Sequence, residues 1–239
     1  MSPGFKRDQL KARYDVEHIE EDAWHSYSGQ KTSSLLSECL SPRTSDSRLL
    51  LNAGSGIYEI GAAEWREVIV DIFSAPLKTK RHALCASVEA LPFKDSVFGA
   101  VVCVGEVLAY CDPAAAIREF ARILVPQGLL ICDFGSTRGF RYWLRPPYGR
   151  AADLVTEQYN GTPEHAWIYD PKYLDSILES LGFSVQRRLG THTWSALARR
   201  MGISMNHAIA LQRHFDWLRL PASCADLMTI VASRNENGK

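Results

Sequence analysis

The chain lacks an excess of charge of either sign, because its 239 residues include 27 Lys and Arg and 27 Asp and Glu. A protein that tracks DNA or RNA phosphates normally shows a basic excess or stripe, and the arginine pairs at 187–188 and 199–200 are isolated. No apolar run approaches the ~20 residues of a membrane-spanning helix. We therefore expect no nucleic-acid partner, no membrane segment and a soluble, cytoplasmic protein.

The cysteines show neither a metal-binding nor a disulfide pattern. None of the six forms a C-x-x-C pair or combines with the seven histidines at metal-ligand spacing. We expect reduced thiols in the core and no metal site. A hydrophobic fraction of 46% is ordinary for a globular protein, and the length is short for two full-size domains. One domain spanning residues 1–239 is predicted, as a monomer or a homodimer.

Two glycines follow an apolar run near residue 50. Leu49 to Leu51 are typical of a buried parallel strand, while Gly54 and Gly56 allow close approach of a ligand, with backbone amides entering a following helix. Asp71 ends a second apolar strand fifteen residues after Gly56, where a carboxylate suits ribose hydroxyls. This spacing predicts a nucleotide-type cofactor site.

Two common nucleotide motifs are missing. Glu59 replaces the third glycine of G-x-G-x-x-G, so an NAD(P)-dependent oxidoreductase is disfavoured and is kept as an alternative. No G-x-x-x-x-G-K-[ST] loop follows the strand either, which argues against ATP bound by that route.

Residues 49 to about 135 resemble the class I S-adenosylmethionine-dependent methyltransferases. The acidic-x-Gly-x-Gly motif of that family is matched by Asn-Ala-Gly-Ser-Gly at 52–56, and further matches follow in order at 71–73, 87–93, 100–106 and 118–133. The resemblance implies an enzyme that transfers a methyl group from S-adenosylmethionine to a small-molecule acceptor and releases S-adenosylhomocysteine.

The expected fold is α/β. Strands alternate with helical patterns between residues 49 and 133, which predicts a parallel sheet. The resemblance implies a Rossmann-like, doubly wound, mostly parallel seven-stranded sheet with an antiparallel last strand, placed at 227–231. Helices are predicted at 114–124, 172–181 and 194–220. Residues 1–47 would form N-terminal lid helices, 48–135 the cofactor-binding core, 136–170 a substrate-facing insertion and 171–239 the rest of the sheet.

The resemblance also assigns the cofactor site. The methionyl end falls on 52–56, the ribose on Asp71 and the adenine near residues 72 and 87–88, with 105–106 as the floor and an aromatic ring near the sulfonium. The full set is Asn52, Ala53, Gly54, Ser55, Gly56, Asp71, Ile72, Ser87, Val88, Gly105, Glu106 and Tyr110. Asn52 stands where the family more often has an acidic residue, so a catalytically degenerate binding or interaction module is the second alternative.

Methyl transfer requires a base only if the acceptor carries a proton to be removed. His165 is the first candidate, followed by His192 and His25. Glu106 would either orient the cofactor or the acceptor or cap nearby backbone groups. The aromatic content of the insertion favours a small, partly aromatic or apolar acceptor from secondary metabolism, methylated at O or N. The predicted substrate-binding residues are Trp24, Tyr27, Tyr148, Tyr159 and Trp167.

Overall fold

The computed structural model describes residues 22–41, 47–56, 58–159, 162–218 and 220–236, with the side chains of 157–159 and 162 left aside. Of the segment expected to form N-terminal lid helices, residues 1–21 and 42–46 lie outside these ranges. The α-helices are α1 (Ala23–Cys39), α2 (Pro113–Ile123), α3 (Pro171–Ser180), α4 (Trp194–Arg200) and α5 (Met205–Phe215). The strands are β1 (Leu49–Ala53), β2 (Arg66–Asp71), β3 (Ala83–Cys85), β4 (Phe98–Cys103), β5 (Leu124–Gly135), β6 (Ala152–Tyr159), β7 (Thr162–Tyr169), β8 (Phe183–Thr191) and β9 (Leu227–Arg234).

Seven strands form one sheet in the order β3-β2-β1-β4-β5-β9-β8. The pairs from β3 to β5 are parallel, and β9 runs antiparallel to both of its neighbours. The strand order reverses between β1 and β4, which is where ligands bind in doubly wound folds. The predicted fold class is confirmed, and the last strand is the antiparallel one.

The insertion after β5 consists of turns followed by a hairpin. Strands β6 and β7 pair with each other as a separate two-stranded sheet. A bridge between Ser136 and Tyr169 ties the base of the hairpin to the end of β5.

Capping residues fix the ends of two predicted helices. Asp112 caps α2, where its Oδ1 accepts the amides of the next two alanines at 2.8 and 3.2 Å, and Pro113 occupies the first turn. Asp170 caps α3 in the same way. The single helix predicted at 194–220 is wrong, because Gly202 with φ +83° separates α4 from α5.

The expected helical crossovers between the first strands are also wrong. Within the described ranges, the connections from β1 to β2, from β2 to β3 and from β3 to β4 contain turns and no helix. Gly61 has a positive φ, and Pro76 and Pro92 interrupt the later connections. The glycine loop therefore does not lead into a helix N-terminus.

Helix α1 covers the face that those crossovers leave open. Its Leu35 and Leu36 join Trp65 and a row of sheet residues in one buried cluster: Leu50, Ala100, Val102, Leu129, Ile131 and Val231. The opposite face packs against α2 and α3 in a larger cluster that includes Cys103 and Cys132, as expected for core thiols. Alternate residues of each strand thus point to different helical layers.

Arg122 of α2 holds the loop before β4. Its guanidinium donates to the carbonyl oxygens of Leu91 and Phe93 at 2.9 and 2.7 Å and pairs with Glu119 and Asp95. The Glu119 pairing with Arg122 lowers the pKa of that carboxyl. Within the described part of the chain, no helix is long and apolar enough to cross a membrane.

Candidate active site

A cavity of about 1070 Å³ lies between α1 and the carboxyl ends of β1, β4 and β5. Pockets for small molecules usually measure roughly 300–1,000 Å³, so this one has the volume for a cofactor and a small second ligand. Seven of the predicted cofactor residues line it, namely Asn52, Gly54, Ser55, Gly56, Gly105, Glu106 and Tyr110.

The carboxylate of Asp71 anchors the glycine loop. Its Oδ2 accepts the Gly56 amide at 2.8 Å and its Oδ1 accepts the Phe73 amide at 2.9 Å. Burial raises the pKa of the Asp71 carboxyl, and these amide hydrogen bonds oppose the rise. Because a carboxylate has about four acceptor positions, each oxygen keeps capacity for a ligand hydroxyl.

Gly54 has a packing role that the sequence did not indicate. Its φ is +73°, and an added Cβ would lie 2.4 Å from Cγ2 of Val107, in the turn after β4. The amides of Gly54 and Ser55 donate to the carbonyl oxygen of Val70. The loop is therefore held closely between β2 and the turn that follows β4.

Asn52 is the residue that departs from the acidic motif. Its Nδ2 donates to Glu67 Oε1 at 2.8 Å and to the Tyr58 carbonyl at 3.2 Å. Glu67 also accepts the amides of Ile60 and Gly61, each at 3.0 Å. A carboxylate at position 52 would face the Glu67 carboxylate, so an amide is the side chain that fits there.

Asp133, at the end of β5, is a cavity residue that the sequence reading did not single out. It is 2% exposed, and its two oxygens accept the amides of Gly105 and Glu106 at 3.0 and 2.8 Å. Burial raises the pKa of the Asp133 carboxyl to about 6, against the effect of these two hydrogen bonds. The available signal was a carboxylate directly after four apolar strand residues.

The Asp133 carboxylate stabilises an unusual turn. Gly105 has φ +89°, and Glu106 adopts the left-handed conformation with φ 60° and ψ 29°. A non-glycine residue in this region is uncommon and is found where surrounding contacts impose it. An added Cβ at Gly105 would meet no atom within 4 Å, so this backbone borders open space in the cavity.

The other five predicted cofactor residues, which include Asp71, lie outside the cavity lining. Ala53 is buried in β1, and Ile72 is 39% exposed beside Asp71. Ser87 Oγ accepts the amide two residues later at 3.2 Å, while Val88 packs in the core. The placement of the adenine on these residues stays a prediction.

The structure does not bring His165 to the cavity. His165 is exposed on β7, with Nδ1 at 2.9 Å from Thr156 Oγ1 on β6. The neighbouring Glu164 lies on the other side of the strand, where Tyr110 Oη donates to its Oε1 at 2.8 Å. The alternation of a strand therefore places the glutamate, and not the histidine, beside a cavity residue.

Two predicted substrate residues on α1 connect it to the C-terminal elements. Trp24 stacks on His192 with ring centroids 3.7 Å apart, and Tyr27 Oη donates to Asp216 at 2.7 Å. His192 is fully buried, and burial, followed by the charge of Arg141, lowers its pKa to about 3. A histidine with that pKa is neutral at pH 7 and a poor base.

The aromatic residues of the insertion do not line the cavity. Tyr148 is 42% exposed, and Trp167 packs against the core. The side chain of Tyr159 lies outside the described residues. His25, the third candidate base, does line the cavity, and its Nδ1 is 2.8 Å from Asp22.

Comparison with known proteins extends the structural result. A family model described as "Methyltransferase domain" matches residues 51–132, which hold the glycine loop, Asp71 and the 105–106 turn. No protein with curated functional information matches the sequence.

Several solved structures share the fold. The geranyl diphosphate C-methyltransferase of Streptomyces coelicolor A3(2), in complex with Mg²⁺, geranyl diphosphate and S-adenosyl-L-homocysteine, has 13% identity and a TM-score of 0.60 over 95% of this chain and 98% of that one. The N-methyltransferase NodS of Bradyrhizobium japonicum WM9, in complex with S-adenosyl-L-homocysteine, has 12% identity and a TM-score of 0.57, with coverages of 96% and 98%. The 1,6-didemethyltoxoflavin-N1-methyltransferase of Burkholderia thailandensis, with bound 1,6-didemethyltoxoflavin and S-adenosylhomocysteine, has 12% identity and a TM-score of 0.54, with coverages of 96% and 88%.

At these identities the structural likeness shows the fold. The family match supplies the link to chemistry, because it covers the glycine loop and the 105–106 turn, which line the cavity. Fold and family match together support a class I S-adenosylmethionine-dependent methyltransferase that uses S-adenosylmethionine as its cofactor.

Proposed function

We propose that this protein transfers a methyl group from S-adenosylmethionine to a small molecule held in the cavity under α1. The observation that carries the proposal is the convergence of the Asp71-anchored glycine loop and the Gly105–Glu106 turn on one cavity. Both sites lie at the carboxyl ends of adjacent strands on either side of the switch in strand order.

The residues present fit the cofactor. The Asp71 carboxylate keeps acceptor capacity for ribose hydroxyls, and the open space over Gly105 admits a ligand against the backbone. Glu106 would meet the methionyl chain, and the ring of Tyr110 would lie near the sulfonium, where a cation–π contact contributes roughly 0.5–2 kcal/mol. When bound, S-adenosylmethionine supplies a methyl group that is already activated.

The chain contributes alignment and exclusion of water. An in-line displacement needs the acceptor atom held near the methyl carbon, and this positioning supplies much of the rate enhancement. Helix α1 lies over the cavity, and the Trp24–His192 stack and the Tyr27–Asp216 hydrogen bond hold it in place. These contacts support a lid role for α1.

The lining of the cavity favours a less apolar acceptor than the aromatic insertion suggested. Tyr148 and Trp167 lie away from the cavity, whereas the lining is rich in Ser, Thr and Gly from α1 and the loops. We therefore propose a small polar acceptor that is methylated at O or N. A cytoplasmic location belongs to the same proposal and is supported by the balanced charge and by six cysteines without paired spacing in the sequence. An acceptor from secondary metabolism stays a prediction from the sequence.

Calorimetric titration of the protein with S-adenosylmethionine and S-adenosylhomocysteine tests the proposal, with NAD as the control ligand. We expect both to bind in the micromolar range while NAD gives no heat. NAD binding alone would favour an oxidoreductase. Binding of none of the three would favour a degenerate interaction module and refute the proposed function.

A further inference from the structure

The cavity extends past the cofactor residues to a second part of the sheet. Asp133 of β5 and Leu227 of β9 line it there. Strand β5 lies two positions from β1 in the sheet, which is about 10 Å at the usual strand spacing. This part of the floor is therefore displaced sideways from the glycine loop.

Two threonine hydroxyls lie beside Asp133 on the same face of the sheet. Thr229 is directly opposite Asp133 in the β5–β9 ladder, and Thr191 is directly opposite Leu227 in the β8–β9 ladder. Opposed residues, and residues two apart in one strand, share a face. Asp133, Leu227, Thr229 and Thr191 consequently form one patch beneath α1.

Both hydroxyls are buried without a hydrogen bond. Thr229 and Thr191 are 0% and 1% exposed, and neither Oγ1 has a hydrogen-bond partner within the part of the chain that the structure describes. An unpartnered buried hydroxyl is unfavourable, and most buried polar atoms are paired. Neither threonine is in the cavity lining, which includes their ladder partners Asp133 and Leu227, so the partner we infer for them is a ligand group that reaches past the Asp133 carboxylate.

The charge of the cavity defines that group. None of the described residues in the lining is Lys or Arg, and four are acidic: Glu59, Glu64, Glu106 and Asp133. Glu59 pairs with Lys80 at 2.9 Å, and Glu64 pairs with Arg48 at 3.8 Å. The Asp133 carboxylate instead accepts hydrogen bonds from two backbone amides. Such a floor attracts a cationic donor and repels phosphate or carboxylate.

Resting on the proposed function, we propose that Asp133, Thr229 and Thr191 form the acceptor subsite and that it takes a protonated amine. The ammonium group donates to the Asp133 carboxylate and to the threonine hydroxyls, while the rest of the acceptor lies toward the serine-rich wall of α1. Before transfer, one ammonium proton would pass to the Asp133 carboxylate, and the freed nitrogen lone pair would bond the methyl carbon. The carbon–sulfur bond of S-adenosylmethionine would break with its electron pair staying on sulfur, which gives S-adenosylhomocysteine. The methyl acceptor is then a small amine, and the transfer is an N-methylation.

Three probes that differ only in their polar group test this subsite. The protein is saturated with S-adenosylhomocysteine, so that the cofactor site is filled, and 2-phenylethylamine, 2-phenylethanol and phenylacetate are titrated by ligand-observed NMR. We expect the amine to bind at least about tenfold more tightly than the alcohol, which is the effect of one charge-assisted hydrogen bond. Phenylacetate should bind most weakly.

Equal or reversed preference, or no binding of the amine, would overturn the subsite and leave the proposed function intact. Failure of S-adenosylhomocysteine to bind would instead refute the proposed function, and the subsite with it. The two ideas therefore fail by different measurements.

Variants locate the effect. Thr229→Val should preserve or raise the melting temperature, because the hydroxyl has no protein partner, yet weaken the amine several-fold. Asp133→Asn should remove the preference for amine over alcohol. Ser233→Ala is the matched control, on the same strand and face about 13 Å away, and should change neither property. Unchanged amine binding in the first two variants would contradict the assignment.

Discussion

Asp133 should make the stability of this protein depend on pH in a range where exposed carboxylates contribute little. Its carboxyl is buried, and its pKa rises from the usual 3.8 to about 6 because burial disfavours the charged form. The perturbation we choose is Asp133→Asn, which keeps the size of the side chain and removes the titration.

The raised pKa of Asp133 decides whether stability rises or falls with pH. Between about pH 4 and pH 6 the folded protein keeps the Asp133 proton, while the unfolded chain has lost it. The stabilisation from this proton is complete below about pH 4 and is lost as the pH rises through 6. The difference in pKa corresponds to on the order of 3 kcal/mol.

Urea unfolding of the native protein and of Asp133→Asn at several pH values measures this effect. Other titrating groups, such as Asp71, whose pKa is also raised by burial, act on both proteins and cancel in the difference. The stability of the native protein minus that of the variant should fall by on the order of 3 kcal/mol from pH 4 to pH 6 and then level off. A difference that stays constant with pH would refute the reasoning, because it would mean that the folded carboxyl titrates normally.

Further variants test the cofactor loop and the loop before β4. Asp71→Ala should weaken S-adenosylhomocysteine by about 1–3 kcal/mol in calorimetry through loss of a charge-assisted hydrogen bond. Asp175→Asn, at a half-buried aspartate of α3 that pairs with Arg188, should bind normally; equal affinities would place the ribose elsewhere. Gly54→Val should abolish cofactor binding and lower the melting temperature, because even a Cβ would overlap the turn after β4; a stable variant that binds the cofactor normally would contradict this packing. Arg122→Ala should lower the free energy of unfolding by about 1–3 kcal/mol, since two loop carbonyls lose their donor, and Arg118→Ala on the same helix should be near neutral; similar losses in both would assign the effect to the helix.

The sheet was largely predictable because its strands carry strong local signals. Leu49 to Leu51 and the run before Asp71 are apolar segments ended by glycine or a carboxylate, and both are buried parallel strands. The start of α2 was equally predictable, since Asp112 is a typical capping residue and Pro113 a typical first-turn residue.

The helices that pack on the sheet were less predictable, because their contacts join residues that are far apart in the chain. Nothing near the glycine loop indicates that a helix is missing there. The helix that packs on this face is α1, which precedes β1 in the chain. The break at Gly202 was visible in the sequence, but a single glycine is tolerated in many helices.

The candidate site was likewise predictable where its residues form a local pattern and unpredictable where they depend on distant contacts. The glycine loop was found from a local pattern and residues 105–106 from the family resemblance. The structure brings Asn52, Gly54, Ser55, Gly56, Gly105 and Glu106 to one cavity. His165 and Glu164 could not be separated, because the face that each side chain takes depends on the hairpin register. Asn52 was understood only once Glu67 of the neighbouring strand was seen beside it.

The placement of α1 also affects the order in which the protein completes its fold during synthesis. Leu35 and Leu36 leave the ribosome early, but one of their partners, Val231, belongs to the last strand. Contacts between residues so far apart in the chain form slowly. The contact of α1 with Val231 therefore forms only after residue 231 has been translated, whereas its contacts with β1, β4 and β5 can form earlier.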